Sequence, residues 1–421
     1  MQVKMHGIGR AGSDVAATRH PRGTRYPEAV GKRFETSALH LYAHVCSGAF
    51  QSVSTLDQIR VHAISHSLFR PTTLKAAIRQ MGFVQADPIR SPARAQDLIL
   101  RHRVKDYVAA DLDRRYRSLD IEEDYLDNYG FLSREVWQLL HPRAGSKLPE
   151  LDQRVLESVR TSGPMHPNEL EASFGRKRVR NAWGSYSKAT KSALERLHYR
   201  GYLRIARREK GVRVYEAVPS SPSLSPLSPN DRLQKLMLVI ANLLAPIPER
   251  TLHAIAARLR RSIANAPDHR KMIRHLLNTG KLERTVVDGI GYVWPASKAT
   301  REELPRRVRF LAPFDPVVWD RQRFEHLWGW SYRFEAYTPP SKRLRGYYAM
   351  PLLWGERVIG WANVSIVGQE LSVDLGFAEK QPADREFKDE LESEIESFRA
   401  FLDLGRPTPS RAETPNDISL I

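Results

Sequence analysis

A helix that stops on a glycine and turns at once into an extended segment occurs three times in this chain, and no other feature constrains its fold as much. The copies are Ile78-Arg-Gln-Met-Gly82-Phe-Val-Gln, Leu197-His-Tyr-Arg-Gly201-Tyr-Leu-Arg and Leu277-Asn-Thr-Gly280-Lys-Leu-Glu. Glycine after the last helical turn takes the left-handed conformation that closes a helix. In the second and third copies a glycine turn then leads into another strand: one hairpin spans 204–218 with Gly211 at its turn, the other 283–294 around Asp288-Gly289. A recognition-type helix, a glycine cap and a hairpin make a winged helix-turn-helix. Helix–glycine–strand is common in any α+β protein, but three copies, two with complete wings, favour a tandem array.

Composition divides the 421 residues around these copies. Residues 1–50 are rich in Gly, Arg, Ser and Thr, show little periodicity and read as an irregular extension. The three repeats occupy 51–145, 150–218 and 231–297. A Ser/Pro linker covers 219–230, where prolines resist helix and central strand. Residues 300–405 read as a β-rich domain, with an alternating hairpin over 347–364 that turns at Gly355-Glu356. A terminal helix follows from Arg385 to Leu404. Its Phe387, Leu391, Ile395, Phe398 and Leu402 fall at steps of three or four and leave the glutamates on the outer side. Residues 406–421 form a polar tail. The expected fold class is α+β: tandem winged helix-turn-helix repeats, then a C-terminal β-rich domain with a terminal helix.

Charge narrows the partner. With 66 Lys+Arg against 48 Asp+Glu the net charge is +18, which favours nucleic acid over an acidic membrane or protein. The excess is segregated: residues 171–217 carry +9, whereas 370–403 carry −7. The second repeat is thus equipped for duplex DNA. Lys188 and Lys191 lie in its recognition stretch from Trp183 to Arg200, and Arg204, Arg207, Arg208, Lys210 and Arg213 lie on its wing. Such cations neutralise phosphates and give salt-sensitive binding with little sequence choice.

Other chemistries find little support. The single Cys46 rules out an internal disulfide framework and a four-cysteine zinc site, and fits a reducing compartment. The longest apolar stretch, 236–247, is interrupted by Asn242 and Pro246 and is too short to span a bilayer. The first thirty residues contain no hydrophobic core of a secretory signal. A cytoplasmic, nucleoid-associated monomer is expected, with no membrane partner. His40/His44 and His62/His66 sit four apart without a carboxylate at metal-site spacing and read as structural, so neither metal nor cofactor is expected. Gly7-Ile-Gly9-Arg-Ala-Gly12 has no strand apparent before it, which argues against a dinucleotide site. Trp319, Trp328, Trp330, Trp354 and Trp361 read as core and rim of the β-rich domain.

The first repeat departs from the others after its glycine. Phe83-Val84-Gln85-Ala86-Asp87-Pro88-Ile89 begins as an apolar strand and then sets an amide and a carboxylate two residues apart, on one face if the strand continues. Together they could hold a water and take its proton, and the carboxylate could stabilise positive charge on a sugar as a base leaves. The structural alternative makes Asp87 a helix N-cap with Pro88 at the first position. Ser91-Pro92 is the better cap, for a helix from Ala93 to His102.

These residues resemble a known family. Phe83-Val-Gln85-Ala-Asp87-Pro-Ile followed by Arg94-Ala95 is similar to the Gln-x-Asp or Gln-x-Gln signature of the YcaQ/AlkZ DNA glycosylases. So are Leu311-Ala-Pro-Phe-Asp315-Pro-Val-Val-Trp319-Asp-Arg, Tyr332-Arg-Phe-Glu335-Ala-Tyr337 and Gly346-Tyr-Tyr-Ala-Met-Pro351 downstream. The similarity runs from about Leu56 to Leu404. It implies tandem winged helices with a β-rich C-terminal domain, and hydrolysis of the N-glycosidic bond of N7-alkylated purines; some members unhook interstrand crosslinks. By resemblance Asp87 is the catalytic carboxylate, Gln85 positions the water and Arg94 belongs to the DNA-binding set. A monofunctional DNA N-glycosylase is therefore expected. The alternative is a non-catalytic winged-helix regulator in which the same pair is structural. Two departures stand out. The family's aromatic-Trp-x-His stretch is replaced by Ile121-Glu-Glu-Asp-Tyr125-Leu-Asp-Asn128-Tyr129-Gly-Phe-Leu132, and its Arg-Ala-His by Arg94-Ala95-Gln96.

Overall fold

The alternation Val-Lys-Met-His near the N-terminus forms β1 (Val3–Gly7), which joins the C-terminal sheet as an edge strand. The extension is thus not wholly irregular; Gly7 ends this strand, and the rest of the glycine run, 8–12, lies outside the described residues. The computed structural model describes residues 3–7, 55–175, 177–180, 186–209, 211–219, 227–296 and 305–404.

In the first unit, α1 (Leu56–Ser67) starts at a capping box between Thr55 and Gln58, and α2 (Leu74–Met81) is capped by Thr73. Gly82, at φ +73°, stops α2, and β2 (Phe83–Gln85) follows at once. Then come α3 (Ala95–Leu100), α4 (Asp111–Arg115), β3 (Ile121–Tyr125), β4 (Tyr129–Ser133) and α5 (Arg134–Leu140). Strand β4 lies between β2 and β3. The helix expected over 93–102 is shorter. The Ser91 N–H donates to the Ala93 carbonyl and closes a turn there, and α3 begins after Arg94, which makes no side-chain cap.

The second unit contains α6 (Glu150–Ser162), α7 (Pro167–Phe174), β5 (Arg178–Arg180), β6 (Tyr186–Lys188), α8 (Ala189–Tyr199), β7 (Leu203–Glu209) and β8 (Val212–Ala217). Its helix begins at Ala189, not Trp183: Tyr186–Lys188 pairs with β5 instead. Trp183 and Lys210 lie outside the described residues, as do 220–226 of the linker. The third unit contains α9 (Pro229–Leu243), β9 (Ile247–Pro248), α10 (Glu249–Arg261), α11 (His269–Asn278), β10 (Leu282–Val287) and β11 (Ile290–Pro295). Gly201 and Gly280 have φ +81° and +66°, and hairpins β7–β8 and β10–β11 follow them. The helix–glycine–hairpin pattern read from the sequence is therefore present in both units.

The C-terminal part contributes β12 (Val308–Phe310), α12 (Pro316–Trp319), α13 (Arg321–Trp328), β13 (Met350–Trp354), β14 (Arg357–Val367), β15 (Glu370–Phe377) and α14 (Arg385–Phe401). Its sheet runs β1-β15-β14-β13-β12, with β1 parallel to β15 and the other pairs antiparallel. Helix α14 covers one face of it, burying Phe387, Leu391, Ile395 and Phe398; each such side chain contributes about 1.5–3 kcal/mol on leaving water. Not every glutamate of α14 is on the outside. Glu394 is buried, where it accepts from Arg101 of the first unit and from the Phe310 backbone. The architecture among the described residues is mixed α/β.

Two further joints fix the first unit in place. The Arg103 guanidinium binds both oxygens of Asp315 at 2.8 and 3.0 Å, and its other N–H groups go to Ser67 and Ile99. Strand β3 buries three consecutive acids, Glu122, Glu123 and Asp124, against cations from the second unit and from the chain after α5. His62 and His66 lie in α1; the His62 ring packs edge-on to Trp294 and His66 Nε2 meets the Asn242 carbonyl at 2.8 Å.

Candidate active site

Gln85 is the last residue of β2 and faces Gly130 across the ladder. Gly130 has no space for a side chain: a Cβ there would stand 2.3 Å from the Val84 carbonyl oxygen and 2.6 Å from the Phe83 ring. That close approach lets β4 carry Asn128, at the turn just before it, to Gln85. The Asn128 amide donates to Gln85 Oε1 at 3.4 Å, and Trp319 Nε1 donates to the same oxygen at 2.9 Å. An indole N–H can only donate, so the atom facing it is the amide oxygen and the Gln85 NH2 points elsewhere. Among the described residues that NH2 has no hydrogen-bond partner.

The polypeptide leaves the strand after Gln85. Ala86 makes one more backbone bond to Tyr129, and the Asp87 carboxylate turns back to accept from the Ile89 N–H at 2.9 Å. No helix begins here, so Asp87 is not an N-cap. Its second oxygen has no hydrogen bond among the described residues. Half-buried, the carboxyl is pushed up from its usual value near 3.8 by loss of solvent, partly offset by the Ile89 N–H. Two phenols of the C-terminal part, Tyr337 and Tyr348, feel its charge.

Gln85 opens onto a cleft of about 400 Å³ that meets solvent. Met81, Phe83, Ile240, Leu243, Phe314 and Trp319 make it mostly apolar, with Gln85, Asp127 and Asn128 as its polar wall. Asp87 is not on this lining. Arg258 of α10 holds Asp127 through two bonds, at 2.5 and 2.8 Å, and so fixes the turn that carries Asn128. On the far wall, Asp315 caps α12 through the Val317 N–H while Arg103 grips it, and this places Trp319.

The structure puts the expected DNA-binding cations in two groups. Arg204 pairs with Glu122 and Glu216 at 3.1 Å each; Arg208 reaches Glu123 at 2.9 Å, and Arg213 stands 3.9 Å from Glu123 and 4.2 Å over the Tyr129 ring. These three arginines fasten the β7–β8 hairpin to β3. Burial pushes the Glu122 carboxyl up to about 7 despite Arg204 and Arg134. Burial would raise Glu123 too, but Arg208 and Tyr129 bring it below its usual value. The second group is superficial: Lys188 pairs with Glu171 at 2.6 Å, Lys191 with Glu195 at 4.0 Å and Arg207 with Glu209 at 2.5 Å. Arg94 pairs with Asp113 at 2.7 Å and lies beside the β7–β8 turn, 3.9 Å from a Cβ placed on Gly211. Lys210 is outside the described residues.

Sequence reasoning missed Asn128 and Trp319 as partners of Gln85, and it missed the buried acid row of β3. Among the described residues no group of three or more His, Cys, Asp or Glu is placed to hold a metal ion, and no helix is long and apolar enough to cross a membrane.

A family model described as "DNA glycosylase AlkZ-like" matches residues 78–401. A solved structure, Streptomyces sahachiroi DNA glycosylase AlkZ, superposes with a TM-score of 0.56 at 16% identity, over 83% of this chain and 97% of that one.

Proposed function

This chain belongs to the AlkZ-like DNA glycosylase family, a family of DNA repair, and from that premise we propose that it hydrolyses the N-glycosidic bond of N7-alkylated purines in duplex DNA. The observation that carries the reading is that, among the described residues, Gln85 and Asp87 each have one complementary hydrogen-bonding group without a partner. Gln85 has its oxygen fixed by Trp319 and Asn128 and an NH2 to offer, while Asp87 has one oxygen engaged with Ile89 and one to offer. In this reading the donor and the acceptor, two residues apart in the chain, hold one water molecule.

Alkylation at N7 gives the purine a positive charge and makes it a good leaving group. The bond from C1′ to N9 breaks, its electron pair stays with the purine, and positive charge grows on the sugar. The Asp87 carboxylate stabilises that charge, more strongly for being partly withdrawn from solvent. Water held by Gln85 then adds to C1′ and gives its proton to Asp87. The products are free alkylated base and an abasic site. Water is the nucleophile in this reading, which makes the protein a monofunctional glycosylase. Interstrand crosslinks made through N7 carry the same bond and fall under the same chemistry.

We read the three helix–glycine–strand units as tandem winged helices that grip the duplex. The superficial cations Lys188, Lys191 and Arg207, with Arg94 beside the wing turn, are the phosphate contacts in this reading; Arg204, Arg208 and Arg213 set the wing.

Incubation with a duplex carrying N7-methylguanine tests the proposal: abasic sites should accumulate, and Asp87→Asn should slow their formation roughly a hundredfold to a thousandfold while leaving DNA affinity near normal. Folded protein that binds DNA and excises nothing would instead be a non-catalytic DNA-binding protein.

A further inference from the structure

The segment from Arg333 to Tyr347 presents bare rings and cations beside Asp87. Tyr337 is 78% exposed and Leu344 81%, high values for large apolar side chains, and Tyr347 is exposed as well. This is not a loose loop. The buried Glu335 carboxylate accepts three backbone N–H groups, from Leu344 and Arg345 at 2.9 Å and from Gly346 at 3.3 Å, and so draws the two ends of the segment together. Phe334 packs against Phe314, Tyr337 and Tyr348. Arg343 donates to the Thr338 carbonyl and lies 5.0 Å over the Tyr347 ring.

Its charge is unbalanced. Arg333, Lys342 and Arg343 make no ion pair among the described residues, and the segment's one acid, Glu335, is turned inward to the backbone. Cations interleaved with exposed rings fit a polyanion with flat faces: phosphates for the charges, bases for the rings. An apolar protein partner would have no use for three uncompensated cations.

We propose that residues 333–347 are a DNA-contacting loop, in which the Tyr337 ring packs on a base next to the nucleotide at Asp87 and Leu344 supports the gap, while Arg333, Lys342 and Arg343 reach the flanking phosphates. The proposal rests on the glycosylase reading only for the identity of that nucleotide. Tyr337 is a positioning residue: it holds the opened DNA and performs no proton transfer.

The test uses the full chain and separates binding from excision. Wild type, Tyr337→Ala, Tyr337→Phe and Leu344→Ala are titrated with a duplex holding a stable tetrahydrofuran abasic analogue flanked by 2-aminopurine, and single-turnover excision of N7-methylguanine is timed in parallel. Tyr337→Ala should bind the abasic duplex about tenfold more weakly and lose the 2-aminopurine fluorescence change. Tyr337→Phe, which keeps the ring, should stay within about twofold. Both alanine variants should melt as wild type, since neither side chain is buried. Unchanged binding and fluorescence in both alanine variants would overturn the loop's role, whatever the excision rate. Weakened binding together with a wild type that excises nothing would keep the loop and remove the glycosylase reading.

Discussion

Trp319 donates its indole N–H to Gln85 Oε1 across 2.9 Å, joining residues 234 positions apart in sequence. The bond does more than connect two parts of the protein. It fixes which end of the amide faces the cleft wall and therefore which end remains to meet a water. Trp319→Phe keeps most of the packing and removes the stronger donor, leaving only the longer bond from Asn128, at 3.4 Å, to orient the amide. Single-turnover excision should fall roughly tenfold with DNA affinity unchanged, because an amide offering its oxygen in place of its NH2 no longer complements Asp87. If excision by Trp319→Phe matched wild type, the orientation argument would be wrong.

The pH profile offers a second check. Loss of solvent raises the Asp87 carboxyl above its usual value near 3.8. The proposed reaction uses Asp87 as a carboxylate, so the excision rate should decline as pH falls through this raised pKa, earlier in an acid titration than for an ordinary aspartate. The limb should disappear from the residual rate of Asp87→Asn. Since N7-alkylated purines also depurinate without catalysis, the measured rate must be corrected with a protein-free control at each pH.

Much of this scaffold is legible in the sequence. The glycines at 82, 201 and 280 do stop helices, because a positive φ is cheap only there, and the alternation in 204–217 and 283–294 does form hairpins. Four of the five apolar positions, Phe387, Leu391, Ile395 and Phe398, also point inward from α14 as their spacing says, while Leu402 follows the helix and is only partly buried. What was not legible depends on pairs distant in sequence. Glu122-Glu123-Asp124 reads as a solvated acidic run, and only the arrival of Arg204, Arg208 and Arg143 from other parts of the chain makes its burial tolerable. The same blindness made the wing arginines look free. Glu394 sat on the expected outer face of α14 until Arg101 and Phe310 came to meet it. Gln85 and Asp87 stand out in the sequence through the family resemblance and remain a proposal as a catalytic pair, whereas Trp319 and Asn128 carried no periodic signal that pointed to Gln85.

The Arg103–Asp315 pair places Trp319 and so links stability to the site. Neither side chain is exposed, and all five guanidinium N–H bonds are used. Removing one partner leaves the other charge buried alone, so Asp315→Ala should lower unfolding free energy by about 3–5 kcal/mol. Because Asp315 also caps α12, Asp315→Asn should keep part of that cap and fall between wild type and alanine. Urea unfolding of the three proteins gives the order; equal midpoints for all three would show that the pair contributes nothing beyond its own desolvation.

The two groups of cations on the second unit should separate in experiment. Arg208 partners a buried carboxylate, so Arg208→Ala should destabilise the protein by about 3 kcal/mol. In whatever fraction remains folded, it should leave the slope of log affinity against log salt unchanged, because that guanidinium already has its anion. Lys191 is exposed and stands 4.0 Å from Glu195, a surface pair of little energetic weight. Lys191→Ala should therefore leave the unfolding midpoint where it is and reduce the salt slope by about 1, the loss of one phosphate contact. Affinity for undamaged duplex measured between 50 mM and 200 mM salt, an interval wide enough to define such slopes, reads both variants together. A salt slope that drops for Arg208→Ala and not for Lys191→Ala would reverse the assignment, making the inner arginines the DNA contacts and the outer lysine a bystander.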